Sequence, residues 1–105
     1  MKILFDHGTP VPLRHALTAH SISTAFEMGW AELDNGDLLK AAESPLDILV
    51  TTDQNLRHQQ NLSGRRLAIL VLRTTSWRRI RANLERVRGA LNAMRPGEFA
   101  ECQFD

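Results

Sequence analysis

At 105 residues, 43% hydrophobic and 24% charged, the chain has the size and make-up of one soluble globular domain with a single core. No apolar run approaches the roughly 20 residues of a membrane helix, and the one cysteine, Cys102, allows no internal disulfide. The opening apolar run stops at Asp6, so no secretory signal is expected and the cytoplasm is the default compartment.

The net charge of +1 conceals an asymmetry. Residues 1–53 carry three basic groups against eight acids, or −5, whereas residues 54–95 carry ten arginines against the single acid Glu85, or +9. The tail 96–105 adds three acids. A guanidinium fork pairs with phosphate through two hydrogen bonds and stacks on bases, so an arginine-only half beside an acidic half suggests metal chemistry next to a polyanion groove. A solvated helix face, or an acidic partner protein, would account for the same arginines.

In chain order, Ile3-Leu4-Phe5 ending in Asp6 reads as a strand buried on both faces, over 2–6. Pro10 and Pro12 open a helix that turns Leu13, Ala16 and Leu17 inward. Residues 21–24 alternate like a short strand, and a helical piece at 25–29 ends at a glycine. Asn35 is the expected cap of a helix over 36–43, which Ser44-Pro45 stops. A second buried strand, 47–52, runs into Asp53; a polar stretch, 54–63, has room for a helical turn or two; a third strand covers 67–72. Ile80, Leu84, Val87, Leu91 and Met94 step by four and three, predicting one helix over about 76–94. Pro96-Gly97 ends it, and 98–104 alternates like an edge strand. Strands alternating with helices predict a mainly parallel sheet between helical layers, an α/β/α sandwich.

Ligands of open α/β sheets bind beyond the carboxyl ends of the strands. Two strands deliver Asp6 and Asp53 there, with Glu27, Asp34 and Asp37 on the segments between them. Gathered carboxylates repel one another unless a cation neutralises them, and hard oxygen ligands select Mg²⁺ or Mn²⁺ over zinc. Such ions activate water and stabilise charge on a phosphoryl oxygen. Each aspartate alone is equally well read as the cap of a following turn. No serine elbow and no glycine-rich phosphate loop competes. His7, beside Asp6, fits a polar turn residue better than a ligand, and Trp77 a core anchor better than a base-stacking platform.

The start Ile3-Leu4-Phe5-Asp6 with Pro10 and Pro12, the middle 35–42, and above all Leu49-Val50-Thr51-Thr52-Asp53-Gln54-Asn55-Leu56 resemble the PIN domain, closest to its short bacterial PIN-like branch related to VapC-type toxins. The resemblance runs through most of residues 1–75. It implies a three-layer α/β/α sandwich and an Mg²⁺- or Mn²⁺-dependent endoribonuclease, often the toxin of a toxin–antitoxin pair. Asp6 matches the first-strand metal acid, Asp53 the later strand-end acid, and Glu27 the acid of the second helical segment. Asn35 stands where the family's middle-helix aspartate is usual, with Asp37 able to supply the charge, and His7 stands where short relatives carry a second acid.

The expected site is therefore catalytic Asp6, Asp37 and Asp53, with Glu27 and Asn35 as further metal ligands. Arg57, His58, Arg65, Arg66, Arg78, Arg79 and Arg81 are expected to bind RNA. An antitoxin protein and a second copy of the chain, meeting through Met28-Gly29-Trp30, are the expected protein partners. The alternative is a PIN-like module with a weakened metal site that binds RNA or a protein through its arginines. A phospho-accepting receiver domain fits poorly, for want of an acidic pair after the first strand and of any lysine after Lys40.

Overall fold

A computed structural model describes residues 1–56, 62 and 64–104. Among these, the strands form one five-stranded sheet: β1 (Lys2–Phe5), β2 (Ser21–Thr24), β3 (Ile48–Thr51), β4 (Ala68–Leu72) and β5 (Phe99–Cys102). The spatial order is β2-β1-β3-β4-β5, and all four pairings are parallel. β3 and β4 are buried at every position and β1 at all but its first, as expected of central strands covered on both faces. The polar β2 is an edge.

Alternate side chains along each strand feed two separate cores. Ile3, Phe5, Ile48, Val50, Ala68, Leu70 and Leu72 point to one face, covered by Leu13, Leu17, Ile80, Val87 and Leu91. Leu4, Leu49, Ile69 and Val71 point to the other, where Leu38, Leu39 and Ala42 of α1 (Asn35–Ala42) pack with Ala25, Leu46 and Leu56. The result is a helix–sheet–helix sandwich. Met28 and Trp30, the expected dimer surface, also pack against this second core.

Several expected elements differ in detail. The segment after β1 is a 3₁₀ helix, Val11–Ala16, not an α-helix. Pro10 and Pro12 lack N–H donors, and the bonds at the two ends of the segment, Leu13 N–H to the Pro10 carbonyl (3.1 Å) and Leu17 N–H to the Arg14 carbonyl (3.2 Å), span three residues. Residues 25–29 form a single closed turn. Gly29, at φ +79°, ends it with paired bonds from its own N–H to Phe26 (3.1 Å) and from Trp30 N–H to Ala25 (2.8 Å).

The long helix expected over 76–94 is two helices, α2 (Trp77–Ala82) and α3 (Leu84–Ala93), broken at Asn83. Asn83 leaves helical geometry at φ −131° and ψ 35°. Its side-chain amide donates to the Arg79 carbonyl (2.9 Å), while its own carbonyl accepts from Arg86 (3.0 Å) to start the next helix. The apolar stripe survives the break, since Ile80, Val87 and Leu91 are all fully buried. Of the stretch expected to hold a helical turn, 57–61 and 63 lie outside the described residues. No helix among the described residues is long and apolar enough to cross a membrane.

Candidate functional site

The strand order reverses between β1 and β3: the chain leaves β1 toward one edge, returns over it, and continues toward the other. In doubly wound sheets the crevice beyond this switch point is where ligands sit. Asp6 and Asp53 follow the two strands that flank it, and Asp6 N–H continues the sheet by bonding to the Val50 carbonyl (3.2 Å).

One buried hydroxyl joins the two acids. Thr51, 1% exposed at the end of β3, donates from Oγ1 to Asp6 Oδ2 and accepts from the Asp53 backbone N–H (3.0 Å). Thr9, 3% exposed, places its hydroxyl 2.7 Å from Asp6 Oδ1 and 2.9 Å from the Val50 carbonyl. Both oxygens of Asp6 are thus oriented by threonines that sequence reasoning did not single out. Asp53 is held by Asn35, whose side-chain amide donates to Oδ2 (2.7 Å), and by the Asn55 N–H on Oδ1 (2.9 Å). The loop after β1 must lie close against β3's end for this to form. Gly8 allows it, because a Cβ there would overlap Thr52 Oγ1.

The cap of α1 is Asp34, not the expected Asn35. Asp34 Oδ1 accepts from Asp37 N–H (2.8 Å). Asn35 instead sits on the first helical position with its amide spent on Asp53. Asp37 is exposed in the first turn of the same helix.

Glu27 serves a different purpose from the one expected of a metal ligand. It forms a reciprocal capping box with Thr24: Thr24 N–H donates to Glu27 Oε1 (2.9 Å) and Glu27 N–H donates to Thr24 Oγ1 (3.1 Å). Arg14 grips both carboxylate oxygens, through Nη2 on Oε1 and Nη1 on Oε2 (3.2 Å). The guanidinium, followed by the Thr24 N–H, holds the Glu27 carboxyl down at about 2. The spacing Thr24-x-x-Glu27 is a legible capping-box signal, although the Arg14 partner is not.

Asp6 and Glu27 still face a common space. A pocket of about 450 Å³ beside the switch point is lined by Asp6, His7, Thr9, Val11, Arg14, Thr24, Ala25, Phe26, Glu27 and Ala31. His7 closes one side as a turn residue, donating from Nε2 to the Ala31 carbonyl. Among the described residues no group of three His, Cys, Asp or Glu side chains is arranged to hold a metal.

Among the described residues the arginines do not form one groove. Arg65 and Arg66 precede β4, at the opposite end of the sheet from Asp6 and Asp53. Arg66 is a structural clamp there, donating to the carbonyls of Glu43 (2.6 Å), Ser44 (3.0 Å) and Leu46 (2.8 Å) and pairing with Asp47 (3.4 Å). Arg73 pairs with Glu101 (2.7 Å) and Arg88 with Glu85 (2.5 Å). Arg78, Arg79 and Arg81 are exposed on α2, which packs on the 3₁₀ helix that carries Arg14. Arg57 and His58 lie outside the described residues. Comparisons with protein-family models, with curated proteins and with solved structures find no match to this chain.

Proposed function

We propose that the chain is a PIN-like, divalent-metal-dependent ribonuclease that hydrolyses RNA phosphodiesters. The observation that carries this reading is the Thr51 hydroxyl that ties the Asp6 carboxylate to the Asp53 backbone N–H at the switch point of a parallel sheet. Asp6 and Asp53 would hold the ion. Their donor set fits Mg²⁺ or Mn²⁺, because such a hard ion is commonly held by one or two carboxylates, with waters and substrate phosphate completing its shell. The bound ion supplies Lewis-acid activation of water and neutralises charge on the phosphoryl oxygens.

The chain's own residues do the rest. Thr9 and Thr51 fix the two Asp6 oxygens, and Asn35 and the Asn55 amide fix those of Asp53, so the acids need no reorganisation. Glu27 contributes by holding Arg14 in place in the wall of the pocket that Asp6 also lines. Arg78, Arg79 and Arg81 supply the positive field that draws the RNA backbone toward the rim. Water is the attacking group. A toxin's role, with an antitoxin protein as partner, is the biological setting that the PIN-like resemblance supplies.

Single-stranded RNA should be cut in Mn²⁺ and left intact in EDTA. Asp53→Asn should lower the rate by more than the roughly 10- to 100-fold typical of losing an outer-shell partner. Wild-type cutting by Asp53→Asn sinks the proposal. A second reading is favoured by one contact: the Asn35 amide already occupies Asp53 Oδ2. A module that only binds RNA would keep its affinity in EDTA and lose it steeply with salt.

A further inference from the structure

Among the described residues three large apolar side chains are exposed: Met1 at the chain start, Val11 and Phe26. Val11, 54% exposed, and Phe26, 79% exposed, line the same pocket, and that pocket also contains Asp6. We infer that the pocket is a nucleobase subsite, with Phe26 as its stacking platform, for the nucleotide next to the phosphate being cut. The inference rests on the ribonuclease reading of the Asp6–Asp53 rim.

Three features point to this occupant. The first is placement. Asp6 belongs both to the rim and to the pocket wall, so a nucleotide whose phosphate lies at the rim has its base within reach of Phe26. The second is chemistry. The pocket couples apolar surface from Val11, Ala25, Phe26 and Ala31 with a polar wall made by Thr24 and the Arg14–Glu27 ion pair, which matches the flat face and the hydrogen-bonding edge of a base. At about 450 Å³ it lies in the size range of sites that take one small organic group. The third is rigidity. The Thr24–Glu27 capping box, the turn closed at Gly29, and the His7 bond to the Ala31 carbonyl all fix the segment that carries Phe26. An aromatic carried on a fixed backbone and left in water, with only two side-chain torsions to order, binds a base at modest ordering cost, and stacking tolerates any base.

The test uses the full chain and a single-stranded RNA carrying one 2-aminopurine, with metal withheld so that nothing is cut. Binding should quench the fluorophore at one position of the strand. Phe26→Ala should abolish the quench and weaken binding about 5- to 140-fold, the equivalent of one lost base–aromatic stack, while Phe26→Trp should retain both. Because Phe26 contributes nothing to the core, the variant should unfold like wild type. In Mn²⁺, an abasic site walked along the substrate should slow cutting most at one fixed distance from the cut. In Phe26→Ala that same abasic site should cost nothing further, a non-additivity that a purely structural role would not produce. Wild-type quenching, affinity and abasic profile in Phe26→Ala overturn the subsite while leaving the ribonuclease reading intact. Loss of self-association, or of a protein partner, in Phe26→Ala with RNA cutting unchanged overturns it as well. A wild-type chain that cuts no RNA instead defeats the functional reading, whatever Phe26 does.

Discussion

Thr51 illustrates how one hydroxyl can serve both a fold and a site. At the end of a fully buried strand it would pass for an ordinary β-branched residue chosen for strand propensity. Its Oγ1 nevertheless donates to the Asp6 carboxylate and accepts from Asp53 N–H, so that one acid's side chain and the other's backbone are tied to a group itself locked in the core. Thr51→Val keeps the shape and removes both bonds. Leaving a donor and an acceptor without a partner should cost about 1–3 kcal/mol, read by urea denaturation, whereas Thr51→Ser should recover most of it. An unchanged midpoint in Thr51→Val would mean that water replaces the hydroxyl and that the acids are not positioned through it. Asn35 shows a similar division. An asparagine and an aspartate in sequence are both good helix caps, and the choice between them is settled by Asp53, which draws the Asn35 amide away and leaves the cap to Asp34.

The turn between β2 and α1 is a complete device built from the six residues 24–29 and closed at both ends. Thr24 and Glu27 satisfy its first amides, and the left-handed Gly29 satisfies its last carbonyls. A Cβ at Gly29 would meet no atom within 4 Å, so substitution there tests backbone conformation alone. Gly29→Ala should destabilise by about 1–2 kcal/mol and Gly29→Asn by less, since asparagine tolerates the left-handed region better. Equal costs for the two, measured by chemical denaturation, would point to packing instead. The break at Asn83 follows the same local logic: one side chain that bonds backward to Arg79 ends α2, and the chain restarts as α3 without losing the buried stripe.

Taken together, the layers convert an uneven charge sequence into a directional surface. Both acids of the rim belong to the acidic half, and they emerge at the carboxyl ends of β1 and β3. The arginine half is divided: Arg66 clamps the far end of the sheet, Arg73 and Arg88 are paired locally, and Arg78, Arg79 and Arg81 remain exposed on α2. If the rim binds a divalent ion only in the folded state, Mn²⁺ at about 100 times its dissociation constant adds about 2.7 kcal/mol, which for a domain of this size raises Tm by about 10–20 °C. Asp53→Asn should remove that rise. A wild-type Tm indifferent to Mn²⁺ would favour the metal-free binding module.

The three central strands were legible from residues alone, because a parallel strand covered on both faces must be apolar at successive positions, as Ile3–Phe5, Ile48–Val50 and Ala68–Leu72 are. The acids that end two of them were legible for the same reason, since a polar residue that stops such a run has to sit at the rim. Tertiary structure alone decided which groups those acids meet. The contacts of Asp6 with Thr51 and of Asp53 with Asn35 span 45 and 18 positions and exist only because β1 and β3 lie side by side, with α1 crossing above. It also decided that Glu27 faces Arg14 and that the arginines part company. Local sequence determines propensity and periodicity, but pairing between distant side chains is set by the order in which the strands assemble.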